Sequence, residues 1–206
     1  MSDEDVSAEA EQFRNGWRRE IGSKHPGLLE AILADARVTA ANRGERFEFR
    51  SRLDALTQAI RLAWVTDAFL AQALYRLKAR SQALGIPVLP MIAHRLAIMT
   101  GQVCIGDPVV LRPGIYMPHG QVVIDGLVEI ERGTTIAPFV TIGLIAGNLQ
   151  GPTIGARVNI GTGSKIVGPV TIGANAAIGA NAVVVRDVPA GATVAGVPAR
   201  RIDRRA

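Results

Sequence analysis

A six-residue repeat runs through the second half of the sequence and restricts the folds open to the chain. Aliphatic residues recur at intervals of six with one gap, at position 148: Ile124, Ile130, Ile136, Ile142, Ile154, Ile160, Ile166, Ile172, Ile178 and Val184. Neither the 3.6-residue period of a helix nor the two-residue alternation of a strand gives this spacing. A chain wound into a coil with flat faces of six residues each gives this spacing. The repeat therefore predicts a parallel β-helix in which equivalent positions stack in columns.

The amino-acid composition supports a narrow coil and limits where the protein can be located. Hydrophobic residues make up 48% of the chain but aromatic residues only 4%, as a narrow coil filled by Ile, Val and Ala requires. The single cysteine, Cys104, excludes an internal disulfide and favours a cytoplasmic location. The sequence has no apolar run of 18 residues and no basic-then-apolar leader. We therefore expect no membrane segment.

The first half of the chain has helical rather than six-residue periodicity. Residues 1–25 are polar, and we expect them to be flexible. Ser51 and Asp54 approximate a capping box at the start of a helical region that extends to about Leu84. The predicted organisation is a helical N-terminal region at 1–100, a β-helix at 101–190, and a C-terminal cap with a basic tail at 191–206.

The six-residue ladder has two irregularities and a predicted end. Each aliphatic residue of the repeat is called a rung, and earlier rungs lie six apart at Ile105, Leu111 and Met117. Met117 and Ile124 are seven residues apart, and the extra residue lies beside His119. An inserted residue bends the backbone and redirects its neighbours, which often happens next to active sites. Segment 144–151 carries no rung, so we expect it to leave the coil as a binding loop. After Val184 the ladder is expected to stop.

His119 is the best candidate for chemistry. An imidazole titrates near neutral pH, so it can take a proton from a nucleophile and return one to a leaving group. A zinc site is not expected, because the only other histidines, His25 and His94, lie outside the coil. A Ser-His-Asp hydrolase and a phosphate-binding loop are disfavoured, since their glycine motifs are missing.

The charged C-terminal tail points to a phosphate-bearing ligand. Arg200 and Arg201 belong to a cluster of four arginines without interleaved aromatic residues. Nucleic acid is therefore a weak candidate partner. The phosphates of a small cofactor fit the cluster better.

Several stretches resemble the hexapeptide-repeat acyltransferases, and among them the serine acetyltransferase branch. The resemblance covers residues 51–202, and four stretches carry it: ALYRLKAR, PHGQVVIDG, GTGSKIVGPVTIGANAAIGANAVVV and DVPAGATVAGVPAR. The last is typical of members that use coenzyme A. The resemblance implies a trimer of left-handed β-helices, with N-terminal helices that join two trimers in the serine branch. It also implies acetyl-CoA as co-substrate, while the positions of the three histidines predict no metal.

The resemblance assigns roles to individual residues. His119 matches the general base that deprotonates an acceptor hydroxyl as it attacks the thioester carbonyl. Backbone contacts to the cofactor fall on Gly143, Thr162 and Ala180. Arg200 and Arg201 are inferred, from their charge and position, to meet its phosphates.

Three departures from the branch affect the acceptor site. Pro118 replaces the aspartate that precedes the histidine, so Asp125 or Glu129 is predicted to orient the imidazole ring. The loop at 144–151 lacks the family's Arg-His pair and offers Asn148 and Gln150 as acceptor-binding residues. Asp54 is an approximate counterpart of the aspartate that meets the substrate amine.

Three functions are therefore open. The first is a serine O-acetyltransferase-like enzyme. The second is an acetyltransferase for a sugar or another small acceptor, which the uncharged loop favours. The third is a non-catalytic β-helix that binds partners, which Pro118 favours.

Overall fold

The helical part consists of short helices that precede all the strands. The computed structural model describes residues 20–146 and 148–202, so most of the N-terminal segment predicted to be flexible lies outside it. A helical segment at 20–24 is followed by α1 (Leu28–Asn42), α2 (Arg52–Val65), α3 (Phe69–Ala83) and α4 (Leu89–Gly101). Ser51 begins α2 by accepting a hydrogen bond from the Asp54 N–H at 3.1 Å, as predicted.

The remaining chain is a series of short strands. In order they are β1 (Val103–Ile105), β2 (Val110–Leu111), β3 (Val122–Ile124), β4 (Leu127–Ile130), β5 (Thr135–Ile136), β6 (Thr141–Gly143), β7 (Gln150–Ile154), β8 (Asn159–Ile160), β9 (Lys165–Val167), β10 (Thr171–Ile172), β11 (Ala177–Ile178), β12 (Val183–Val184), β13 (Thr193–Ala195) and β14 (Arg200–Arg201).

These strands form three sheets that the chain visits in rotation. Sheet 1 has the order β1-β3-β6-β9-β12, sheet 2 β2-β4-β7-β10, and sheet 3 β5-β8-β11-β13-β14. Pairing is parallel except between β13 and β14. Aliphatic rungs such as Ile124, Ile142 and Ile166 pair across sheet 1 with their side chains fully buried. The expectation of a mainly β chain with parallel sheets and a helical N-terminal part is confirmed.

The strand register shows where residues are inserted. Val103 pairs with Val122, nineteen positions later, and this coil contains His119. Thr141 pairs with Lys165, twenty-four positions later, and this coil contains the 144–151 segment. Lys165 then pairs with Val183 at the regular interval of eighteen. Both predicted irregularities are therefore real insertions.

The ladder continues beyond its predicted end at Val184. Val188 bridges to Ile172, and Val194 pairs with Ile178. The interval from Ala177 to Thr193 is sixteen rather than eighteen, so the coil is shortened by two residues and the next rung leaves the sequence period. The predicted end was wrong because a deletion shifts the later aliphatic residues out of the six-residue period, although the strands go on stacking.

Helix α3 covers the N-terminal opening of the coil. The Tyr75 hydroxyl donates to the Val109 carbonyl at 2.7 Å, and Lys78 Nζ donates to the Ile105 carbonyl at 2.6 Å. Gln72 donates to the Ile115 carbonyl at 3.0 Å. These buried side chains satisfy backbone acceptors that have no preceding coil to pair with. The ALYRLKAR stretch thus has a structural role as well as a family resemblance.

A buried ion pair stabilises the contact between the helices and the first coil. Arg76 Nε lies 2.9 Å from Asp35 Oδ2, and both side chains are almost completely buried. Asp35 Oδ1 also accepts the backbone N–H groups of Gly114 and Ile115, at 2.8 and 3.0 Å. Burial raises the pKa of Asp35, while Arg76 and the two N–H donors oppose that rise. The pair ties α1, α3 and the first coil together.

Candidate active site

His119 lies on the edge where the chain passes from sheet 3 to sheet 1. We call this the His119 edge; it consists of the turns at 118–121, 137–140, 161–164 and 179–182. The coil that holds His119 is the one with the extra residue. Gln121 takes a left-handed conformation there, with φ of 62°, and turns the chain back into β3.

Backbone hydrogen bonds run along the whole His119 edge. The Phe139 N–H donates to the Gln121 carbonyl at 2.9 Å, the Gly163 N–H to Pro138 at 3.0 Å, and the Asn181 N–H to Thr162 at 2.8 Å. The turns are therefore stacked in register at the spacing of neighbouring strands. The edge is therefore a continuous column of hydrogen-bonded turns.

The predicted cofactor residues divide between two edges. Thr162 and Ala180 lie on the His119 edge, two and three coils beyond His119. At about 4.8 Å per coil, Ala180 is roughly 14 Å along the edge from His119. Gly143 instead ends β6 on the next edge, where sheet 1 passes to sheet 2, and its carbonyl accepts the Gly168 N–H at 2.9 Å. The three residues therefore do not share one edge of the coil.

The edge that carries Gly143 also carries a groove. We call it the loop edge, because the 144–149 segment leaves the coil there. The groove has a volume of about 560 Å³ and includes Ile145, Val170 and Val185 in its lining. Leu144 packs against Gly126, where a Cβ would stand 2.0 Å from Leu144 Cδ2. Gly126 also has a φ of 93°, a conformation that residues with side chains rarely adopt, so glycine suits this contact between the loop and the coil.

The carboxylate that contacts His119 is Asp67, in the turn between α2 and α3. Its Oδ2 lies 2.8 Å from His119 Nδ1. The predicted orienting residues are engaged elsewhere: Asp125 Oδ1 accepts the Gly126 N–H at 2.9 Å, and Glu129 pairs with Lys24 at 2.7 Å. The structure therefore corrects that prediction. Asp67 stands 52 positions from His119 with no local motif, so no sequence signal connected the two.

Comparisons with known proteins agree with the repeat. The sequence model for "Bacterial transferase hexapeptide (six repeats)" matches residues 151–186. A comparison with curated protein sequences finds no match.

Solved structures match both the helices and the coil. A truncated serine acetyltransferase apoenzyme is 25% identical, with a TM-score of 0.74 over 89% of this chain and 73% of its own. Soybean serine acetyltransferase apoenzyme is 28% identical, with a TM-score of 0.70 over 87% and 71%. A serine acetyltransferase in complex with CoA is 25% identical, with a TM-score of 0.72 over 89% and 73%. Together these findings support a hexapeptide-repeat acyltransferase of the serine acetyltransferase-like branch.

The acyltransferase presents an uncharged loop where acceptor residues were predicted. Asn148 Oδ1 accepts the Gln150 N–H at 2.8 Å, which uses one acceptor of that side chain to shape the loop. Gln150 is exposed at the start of β7. Positions 144–151 contain no charged residue, so this segment cannot neutralise a carboxylate or an ammonium group.

Asp54 does not lie beside His119 in one protomer of the acyltransferase. It is near the start of α2, whereas Asp67 follows the end of that helix. At 1.5 Å per residue, Asp54 is about 16 Å from the end of α2. Arg46 binds both Asp54 oxygens at 2.8 Å and is the main reason that the pKa of Asp54 lies well below its usual value. Its contact with the acceptor stays a prediction.

The remaining charged and metal-ligating candidates are dispersed. Arg200 Nη1 donates to the Ala199 carbonyl at 3.0 Å, and Arg201 completes β14 at the far end of the coil. His25 precedes α1, and burial lowers its pKa to about 4. His94 lies in α4. Among the described residues, no three His, Cys, Asp or Glu side chains are grouped as metal ligands. No helix of the described ranges is long and apolar enough to cross a membrane.

Proposed function

We propose that this acyltransferase moves an acetyl group from acetyl-CoA to a hydroxyl group of a small acceptor, with His119 as general base. The observation that carries the proposal is the His119 edge. It places an imidazole at one end of a regular column of turns, Thr162 and Ala180 further along, and the basic strand β14 beyond them.

The dimensions of the edge suit an extended coenzyme. The turn at 196–199, between β13 and β14, lies one coil beyond the His119 edge, so it is four coil spacings, or about 19 Å, from His119. A thioester held near His119 would let the pantetheine arm run along Thr162 and Ala180. The phosphates would then lie near Arg200 and Arg201, where charge-assisted hydrogen bonds are strongest. We propose a left-handed coil, as the family resemblance implies.

The proposed reaction is a single acyl transfer. His119 Nε2 removes the proton from the acceptor hydroxyl as its oxygen attacks the thioester carbonyl. Backbone N–H groups of the edge stabilise the oxyanion of the tetrahedral intermediate. The C–S bond then breaks, and the imidazolium returns its proton to the departing thiolate. The products are an acetyl ester and free CoA, and His119 ends neutral as it began.

A trimer would complete the site. Gly143 and the groove lie on the loop edge, and Thr162 and Ala180 lie on the His119 edge. A neighbouring copy that brings its loop edge against the His119 edge would enclose the coenzyme between two coils. We propose this arrangement, in the cytoplasm, with three copies around one axis.

Helix α2 offers a surface for joining two trimers. Leu53, Leu56, Ile60 and Trp64 are spaced along one face of the helix, and Trp64 is 90% exposed. We expect the wild type to have the mass of six chains by light scattering and an Ile60→Ser/Trp64→Ser variant to have the mass of three. Equal masses for the two proteins would contradict a role for this face in assembly.

The acceptor is proposed on two observations that point to different compounds. Similarity to serine acetyltransferases favours L-serine. The uncharged loop and the pairing of Asp54 with Arg46 favour a neutral hydroxyl compound such as a sugar. A non-catalytic scaffold, the third interpretation, is disfavoured because the repeat model and the structural matches support an acyltransferase.

The test is acetyl transfer to a panel of acceptors. Release of free thiol from acetyl-CoA is measured with L-serine, other hydroxy amino acids and neutral sugars at matched concentrations. We expect one acceptor class to raise thiol release well above acceptor-free hydrolysis. Calorimetry with CoA serves as a second measurement. No binding at millimolar CoA, together with no transfer to any acceptor, would overturn the proposed function.

A further inference from the structure

The turn that carries Asp67 is fixed by its own hydrogen bonds. The Thr66 N–H donates to the Leu62 carbonyl at 3.0 Å, and the Thr66 hydroxyl accepts the Phe69 N–H at 3.3 Å. Leu62 and Phe69 are buried on the two sides of the turn, as is Ala68 directly after Asp67. The backbone of Asp67 is therefore set by the packing of α2 and α3. Only its carboxylate reaches out, toward His119.

Two glycines bring that turn against the His119 edge. A Cβ at Gly120 would stand 1.6 Å from the Gly101 carbonyl oxygen, and a Cβ at Gly101 would stand 2.9 Å from the Asp67 carbonyl oxygen. The Gln121 N–H also donates to the Gly101 carbonyl at 3.1 Å. The Asp67 turn, the end of α4 and the residue after His119 thus meet through backbone atoms. No larger residue at 101 or 120 could preserve this approach.

The contact determines which ring nitrogen of His119 holds the proton. A carboxylate 2.8 Å from Nδ1 accepts a hydrogen bond from Nδ1–H. The neutral ring then carries its lone pair on Nε2, the atom that must receive the acceptor's proton. Pro118, immediately before His119, has no carboxylate that could accept the Nδ1–H hydrogen bond, and it has no backbone N–H.

We propose that Asp67 is the positioning residue of the active site, holding His119 in the tautomer and orientation that general-base catalysis needs. The inference rests on the proposed role of His119. The helical N-terminal region thereby contributes a residue to the chemistry of the coil. The two side chains are 63% and 72% exposed, so the pair adds little to folding stability. Its effect is on ring geometry.

The test compares Asp67→Ala and Asp67→Glu with Glu131→Ala, an exposed carboxylate elsewhere on the coil. We expect Asp67→Ala to lower kcat by about 10- to 10³-fold with little change in KM or in unfolding temperature. Asp67→Glu should recover part of the loss, because its longer side chain still carries a carboxylate. Glu131→Ala should retain wild-type turnover. Wild-type turnover in Asp67→Ala would overturn the proposal.

A spectroscopic measurement separates this inference from the proposed function. Nitrogen-15 shifts of the His119 ring, assigned by comparison with a His119→Ala sample, report which nitrogen is protonated. We expect the Nδ1–H tautomer in the wild type and a shift toward Nε2–H in Asp67→Ala. An Nε2–H ring in the wild type overturns the role of Asp67 even if His119 is the base. If His119→Ala is fully active, His119 is not the general base. The proposed role of Asp67 is then overturned as well.

Discussion

Replacement of His119 by alanine is expected to lower kcat for acetyl transfer by about 10²- to 10⁴-fold, the usual contribution of a positioned general base. The imidazole of His119 is the group proposed to accept the hydroxyl proton and return it to the thiolate. Without it, the acceptor must attack as a neutral hydroxyl. The measurement is steady-state thiol release with the best acceptor of the panel.

Two controls make this result specific to chemistry. CoA binding by calorimetry should be nearly unchanged in His119→Ala, because the coenzyme is proposed to contact the turns along the edge rather than the ring. His94→Ala, in α4, removes a histidine that has no proposed role in transfer and should keep the wild-type rate. A His119→Ala enzyme that turns over an accepted substrate at the wild-type rate would exclude the mechanism.

The largest expected effect on stability comes from the buried pair of Asp35 and Arg76. Alanine at Arg76 leaves a buried carboxylate without its counter-ion and releases the Leu111 and Arg112 carbonyls that the guanidinium binds. Removal of one partner of a buried ion pair typically costs about 3–5 kcal/mol of folding free energy. We expect a loss of this size in the free energy of unfolding, measured by chemical denaturation.

An exposed ion pair supplies the matched control for Arg76. Arg46 binds Asp54 through two hydrogen bonds at the surface, and Arg46→Ala should leave the free energy of unfolding nearly unchanged, because solvent screens exposed ion pairs. Asp35→Ala should be as damaging as Arg76→Ala, and the double variant should lose less than the sum of the two. A loss below about 1 kcal/mol for Arg76→Ala would show that α3 does not depend on this pair to hold the first coil.

The repeat predicted the coil because it is a local property of the sequence. Every stacked turn needs an aliphatic residue at the same place. The spacing of Ile124, Ile142 and Ile166 therefore predicts the column in which they stack. Insertions at His119 and at 144–151 were visible as interruptions of the same period. The deletion before Val188 was not, because the ladder resumed out of phase.

Contacts between distant segments could not be read in the same way. The capping role of Tyr75 and Arg76 depends on where α3 lies across the first coil, which no periodicity encodes. Asp125 and Glu129 were predicted to orient His119, and both are its neighbours in sequence. Both have other partners in the folded chain.

The sequence by itself determined the coil, its insertions and His119 as the candidate base, because stacking requires the same residue type at every turn and an insertion interrupts that period. Only the tertiary structure decided which carboxylate meets that base. Asp67 reaches His119 because Gly101 and Gly120 let three backbone segments touch. Close approach of segments far apart in the chain depends on the packing of whole helices against the coil, and no local pattern of residues specifies it.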